Sequence, residues 1–186
     1  PTEAEVTAKY EMSGTLGTHD RQKPVGNADD LLRSEALFQD LTAALEGGPR
    51  RVLDYGGGDG RLMRAMVEAG HACFVVDFIP QPVPGVTRLG TTLADVESGT
   101  SFDVVVLSHV LEHVAEPLTL LRDLWKVTAE RGVLWVEVPM ELFRQVPPKT
   151  EPLTHINFFQ PESLRVVMAR AGFEVKRCDV RWHTTK

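Results

Sequence analysis

Hydrophobic positions along this chain fall into short blocks divided by polar, glycine-rich or proline-rich turns. Val52-Leu53 before Asp54, Ala72 to Phe78, and Phe102 to Leu107 are compact apolar runs of strand length. Four apolar residues in an unbroken run, Val104 to Leu107, predict a strand buried on both faces. Gly132 to Pro139 reads as the next strand, Val86 to Leu89 as a short edge strand, and Phe173 to Val180 as a last strand. Between these runs the spacing changes to that of a helix. Leu31, Leu32, Phe38, Leu41 and Leu45 line a helix from Asn27, stopped by Gly47-Gly48-Pro49. Leu62, Met63, Met66 and Val67 predict a second helix closed at Gly70. Pro117 opens a third, with Leu118, Leu121, Trp125 and Thr128 on one face, and Gly172 closes a fourth that begins at Pro161. Strands alternating with helices predict an α/β fold, a doubly wound and mostly parallel sheet with helices on both faces.

The turn between the first strand and its helix carries the chemistry. Asp54-Tyr55-Gly56-Gly57-Gly58-Asp59-Gly60 puts four glycines into five positions directly after an apolar run. Glycines there let the backbone turn sharply and approach a ligand without a Cβ in the way, and the helix start adds free N–H groups. A dinucleotide fingerprint needs a third small residue for close helix–strand packing, and Arg61 or Met63 stands in that place. The second strand also ends in an acid, Asp77, 21 residues after Gly56, close to the spacing at which such an acid reaches a ribose hydroxyl.

Acid-x-Gly-x-Gly-x-Gly at Asp54, Gly56, Gly58 and Gly60 resembles the first motif of the class I S-adenosylmethionine-dependent methyltransferases. F-D-V-V-x-x-x-x-V-L-E-H-V-x-x-P, from Phe102 to Pro117, is similar to their fourth-strand motif, in the branch holding quinone-biosynthesis O-methyltransferases and sugar methyltransferases. H-x-N-x-F-x-P-x-S-L, from His155 to Leu164, resembles members that modify sugars or glycan precursors. The resemblance implies a Rossmann-like domain over residues 27–186, with residues 1–26 either a disordered tail or a lid over the site. It implies S-adenosylmethionine as cofactor and S-adenosylhomocysteine as product, with an ammonium and sulfonium that suit an acidic corner. Asp54, Tyr55, Gly56, Gly58, Gly60, Asp77, Phe78, Asp95, Val96, Ser108 and His109 are the cofactor positions it implies. Within that set Phe78 is placed against the adenine and Asp95 near its amino group. The family sheet ends in an antiparallel strand, and only His183 to Lys186 remain after the last predicted strand, so that element is expected to be missing. A chain that opens at Pro1 fits a processed or cropped piece.

His109, Glu112 and His113 admit three readings: backbone capping, substrate or base duty, and metal binding. H-x-x-E-H is also an inverted zinc-protease signature, but it follows a buried strand here and Pro117 cuts it short. Quinone-modifying relatives hold a divalent metal through acids and a histidine of this phrase. His109 stands where they have a glutamate, so no metal is assigned. His113 and His155 are the catalytic candidates, as proton acceptors for an acceptor hydroxyl or enolisable carbon. Asn157 is placed on the acceptor side, or else satisfies loop backbone.

Composition narrows the partners. The 186 residues are 42% apolar, enough for one domain with a core. Lysine and arginine number 20 against 26 acids, a net charge of −6, which disfavours a nucleic-acid partner. Cys73 and Cys178 are expected to be reduced and buried, in a cytoplasmic setting. No run reaches the roughly 18 apolar residues of a membrane span. A small-molecule acceptor, sugar-linked or phenolic, is expected, and the oligomeric state stays open. Two other classes remain: a non-catalytic nucleoside-binding module for assembly or sensing, and a nicotinamide oxidoreductase, against which Arg61 argues.

Overall fold

The computed structural model describes residues 28–140 and 155–181. The order is α1 (Ala28–Leu45), β1 (Arg51–Tyr55), α2 (Arg64–Glu68), β2 (Ala72–Val76), β3 (Val86–Gly90), β4 (Phe102–Ser108), α3 (Pro117–Val127), β5 (Thr128–Glu137) and α4 (Pro161–Ala171). Single 3₁₀ turns at Arg61–Met63, Leu93–Asp95 and Leu111–His113 complete it. Among the described residues the strands form one sheet in the order β3-β2-β1-β4-β5, and every neighbouring pair is parallel. The order reverses between β1 and β4. In open α/β sheets that reversal leaves a crevice at the strands' carboxyl ends.

Each strand alternates between two cores. Val52, Cys73, Val75, Val104 and Val106 face α1 and α2, which bring Leu37, Leu41, Leu45 and Met66. Leu53, Val76, Val105 and Leu107 face α3 and α4, which bring Leu121, Leu124, Met168 and Ala171. Val104 to Leu107 are fully buried, and each such side chain contributes about 1.5–3 kcal/mol relative to exposure. β4, paired on one side with β1 and on the other with β5, is therefore held at both edges and on both faces. Its end fixes the position of the turn that follows.

Three expectations from the hydrophobic pattern are corrected. The buried stripe of α1 is Ser34, Leu37, Leu41 and Leu45, whereas Leu32 points outward. Ser34 is inside because its hydroxyl accepts from the Ala65 amide at the start of α2, an N–H that has no partner within its own helix. On α3 the inward residues are Leu121 and Leu124, and Trp125 is largely exposed. The third concerns Phe173 to Val180, which pairs with no strand among the described residues. Phe173 and Val175 pack on the α3–α4 core, and Arg177 and Arg181 reach Asp40 on α1, so side-chain contacts hold the segment in place of a ladder. Cys73 is free and buried, and Cys178 is free but only partly buried. The segment 1–26, the proline-rich loop near Pro147, and the end beyond Arg181 lie outside the described residues.

Candidate functional site

The glycine turn sits at the carboxyl end of β1, on the crevice. Gly56, Gly58 and Gly60 have φ of 71°, 63° and 78°, the left-handed region that side chains with a Cβ rarely adopt. Gly57 is required for a different reason: a Cβ there would lie 2.0 Å from the Asp54 carboxyl group. Asp54 therefore lies beneath the turn and not on its open side. Its carboxylate is 0% exposed, and neither oxygen accepts a hydrogen bond among the described residues. Burial first, then the charge of Asp77 and the weaker one of Asp59, push its pKa to about 7, with Arg33 opposing. The fold thus places Asp54, a cofactor position by the motif, against the inner side of the glycine turn.

Asp77 follows the end of β2 and fastens the turn from the other side. One oxygen accepts from the Gly58 amide at 2.9 Å and the other from Ile79 at 2.9 Å. Each oxygen keeps a further lone pair for a hydroxyl. Phe78 beside it is 60% exposed, an aromatic face open to stacking. Asp95 has a more local job. Its Oδ2 accepts from the amides of Thr91 and Thr92 and from the Thr91 hydroxyl. Those bonds, the Thr92 amide foremost, hold its carboxyl below the usual range. Val96 packs partly against the α3–α4 core, and Tyr55 does the same from the end of β1.

Arg61 stands where a dinucleotide turn needs a small residue. Its guanidinium pairs with Asp59 at 2.6 Å and with Asp30 on α1 at 3.1 Å. Burial raises the Asp59 carboxyl, yet the Arg61 hydrogen bonds outweigh it and hold Asp59 below the usual range. Asp77 adjoins Asp59 at the turn, and Asp54 beneath it adds negative charge to the extent that it is ionised. Such a field favours a cationic ligand over a pyrophosphate.

The turn after β4 closes the other side of the crevice and rests on the glycines through Val110, whose Cγ2 would lie 2.5 Å from a Cβ at Gly56. Ser108 donates to Glu137 at 2.7 Å, and Arg33 of α1 donates to both, at 3.1 Å and 2.9 Å. His109 has φ of 53°, the only positive φ outside glycine among the described residues. That geometry is sparsely populated for a histidine and marks a site held by its surroundings. Its amide donates to the Glu137 carbonyl, and its ring lies 3.3 Å from Glu112 Oε1 and 3.6 Å from Glu137 Oε2.

Glu112 is 1% exposed, and its carboxylate accepts no hydrogen bond among the described residues. His113 Nε2 lies 3.7 Å from it, and the His113 and His155 rings meet edge to face with centroids 4.6 Å apart. Donor atoms of Glu112, His113 and His155 all fall within 4.8 Å of one another. The fold thus brings the two catalytic candidates together from positions 42 residues apart in the chain. Arg33 and Glu137 were not singled out by sequence. Glu137 had a usable signal, since it ends a parallel strand as Asp54 and Asp77 do; Arg33 had none.

A family profile described as a methyltransferase domain matches residues 29–177. The tRNA 5-carboxymethoxyuridine methyltransferase of Escherichia coli K12 is 35% identical over 127 residues, covering 59% of this chain and 49% of that protein. The ubiquinone biosynthesis O-methyltransferase of Cereibacter sphaeroides is 37% identical over 95 residues, covering 45% of this chain and 38% of its own length. The chain thus spans at most about half the length of these curated relatives. Among solved structures, Burkholderia thailandensis 1,6-didemethyltoxoflavin-N1-methyltransferase, bound to 1,6-didemethyltoxoflavin and S-adenosylhomocysteine, superposes with a TM-score of 0.68. It is 19% identical and covers 92% of this chain and 79% of that one, a likeness of fold. With five parallel strands, the switch-point crevice and this profile match, the chain belongs to the methyltransferase-domain family, in the Rossmann-like class I of S-adenosylmethionine-dependent enzymes.

Proposed function

We propose that this domain binds S-adenosylmethionine at the glycine turn and directs its methyl group to the hydroxyl of a small acceptor, sugar-linked or phenolic, in the cytoplasm. The observation that carries the reading is the acidic glycine corner: three left-handed glycines surrounded by Asp54, Asp59 and Asp77. A cofactor bearing an ammonium and a sulfonium fits that field. Asp77 is within the turn to take ribose hydroxyls, and exposed Phe78 offers the adenine a face.

Held by the glycine turn and Asp77, the cofactor would supply a methyl group on a positively charged sulfur that serves as the leaving group for transfer to an acceptor oxygen. Alignment is the protein's main contribution, and holding reactants in line is worth about 7–11 kcal/mol in well-oriented systems. An acceptor hydroxyl must also lose its proton. His113 and His155 stand together to take it, and the buried Glu112 carboxylate offsets the charge that His113 gains. A carboxylate acceptor would need no base, so this pair favours a hydroxyl.

A tRNA acceptor is the second reading, favoured by the Escherichia coli relative's function. The net charge of −6 opposes it, because tRNA binding draws on clustered cations. Methyl transfer from radiolabelled cofactor to phenols, sugar nucleotides and bulk tRNA decides between them. Labelled phenol or sugar product, reduced about 10²–10⁴-fold by His113→Gln with cofactor binding unchanged, supports the proposal. Label in tRNA alone, or His113→Gln turnover at the wild-type rate, contradicts it. Cofactor binding with no transfer to any pool would favour the non-catalytic module.

A further inference from the structure

We infer that Asn157 is a positioning residue of the acceptor side, one whose side chain docks the segment before α4 onto the turn after β4 and so sets His155 against His113. The inference rests on the proposed function for its catalytic meaning and on geometry for everything else.

The 3₁₀ turn Leu111–His113 ends at Val114 in extended conformation, so its carbonyls lack helical partners. The segment at 156–157 supplies them. The Ile156 and Asn157 amides both donate to the Glu112 carbonyl, at 2.8 Å and 3.0 Å. Asn157 Nδ2 donates to the Leu111 carbonyl at 3.2 Å and to the Val114 carbonyl at 2.6 Å. Both partners are carbonyls, so the amide group has only one sensible orientation. Four hydrogen bonds therefore span more than 40 positions of sequence and hold the two segments in one register.

The consequence falls on the neighbour two places earlier. His155 directly precedes the docked dipeptide, and its ring centroid lies 4.6 Å from that of His113 at an interplanar angle of 69°. Glu112, whose backbone carbonyl receives the dipeptide, also carries the buried carboxylate beside His113. Docking and proton transfer thus share one turn. Asn157 touches none of the glycine-corner residues through these bonds, so its effect should separate from cofactor binding.

Asn157→Asp keeps the size and removes the donors, placing a carboxylate against two carbonyls. In the full chain, the expected result is loss of the nuclear Overhauser contact between the His113 and His155 rings. Exchange of the Ile156 amide should also speed up by about tenfold or more. S-adenosylhomocysteine affinity should be unchanged. With an acceptor in hand, kcat should fall about tenfold or more at unchanged cofactor KM, a split that general destabilisation would not give. Asn157→Ser, smaller and still a donor, should restore part of each signal, and it serves as the reporting variant should Asn157→Asp fail to fold. Retention of the ring–ring contact and of Ile156 protection in Asn157→Asp would overturn the inference, as would loss of cofactor binding in both variants. The ring contact and amide exchange need no turnover, so they decide the inference even where every acceptor fails and the proposed function falls.

Discussion

Replacing Asp54 by asparagine removes a buried charge while keeping the side chain's shape beneath Gly57. Asp54 has no hydrogen-bond partner and its pKa rises from 3.8 to about 7, chiefly through burial. A raised carboxyl pKa means that the folded state holds its proton more tightly than the unfolded state. Between pH 3.8 and about 7 the folded protein therefore carries the extra proton, and stability falls as pH rises through that window. The full loss, reached above the folded pKa, is about 4 kcal/mol as an order of magnitude. Asparagine does not titrate, so the wild-type protein should lose stability relative to the variant as pH rises. Urea denaturation at intervals from about pH 4.5 to about pH 8 gives the two curves, and their difference cancels groups common to both. The expected difference moves in favour of Asp54→Asn by a few kcal/mol, with a limiting slope of about 1.4 kcal/mol per pH unit. The introduced asparagine brings its own unpaired amide, which shifts the whole difference by a constant and leaves the slope intact. Parallel curves would refute the reasoning, because they would mean that Asp54 is solvated or paired in solution.

Two further predictions follow from the same corner and its neighbour. Gly57→Ala, whose Cβ would overlap the Asp54 carboxyl at 2.0 Å, should abolish S-adenosylhomocysteine binding in calorimetry, whereas Gly70→Ala, with open space but φ of 84°, should cost only about 1 kcal/mol in urea denaturation and leave binding intact. Burial raises the Glu137 carboxyl, but Ser108, His109 and Arg33 together hold it below 4.5. Its contribution is present above pH 4.5 and lost as pH falls through the lowered value, so Glu137→Gln should destabilise near neutrality and cost progressively less in acid.

What the sequence disclosed and what it hid divide along physical lines. β1, β2 and β4 announce themselves because strands buried on both faces leave continuous apolar runs, and the glycine turn because left-handed backbone selects glycine. Helix faces are less legible in the sequence. Leu32 and Trp125 fit the helical period as well as Leu37 and Leu124 do, and only the packing of whole elements decides which stripe turns inward. Segment 173–180 has a strand's composition, yet strand pairing depends on a neighbour's free edge, which composition does not record. Asp54 and Asp77 follow the same local rule of an acid at a strand's end, but one lies under the glycines and the other beside them. Arg33 meets Glu137 across 104 positions, a distance no local pattern carries. For Asn157 the sequence leaves two readings, and the fold makes it a partner of loop backbone at Leu111 and Val114.

Calorimetric titration with S-adenosylhomocysteine tests the central claim most directly, with NAD and an Asp77→Ala variant alongside. The account predicts binding of about micromolar strength, weakened by at least about tenfold in the folded Asp77→Ala protein, and no heat from NAD. Binding of NAD in place of S-adenosylhomocysteine, or none of either by folded protein, would contradict the assignment of the acidic glycine corner to a cationic nucleoside cofactor.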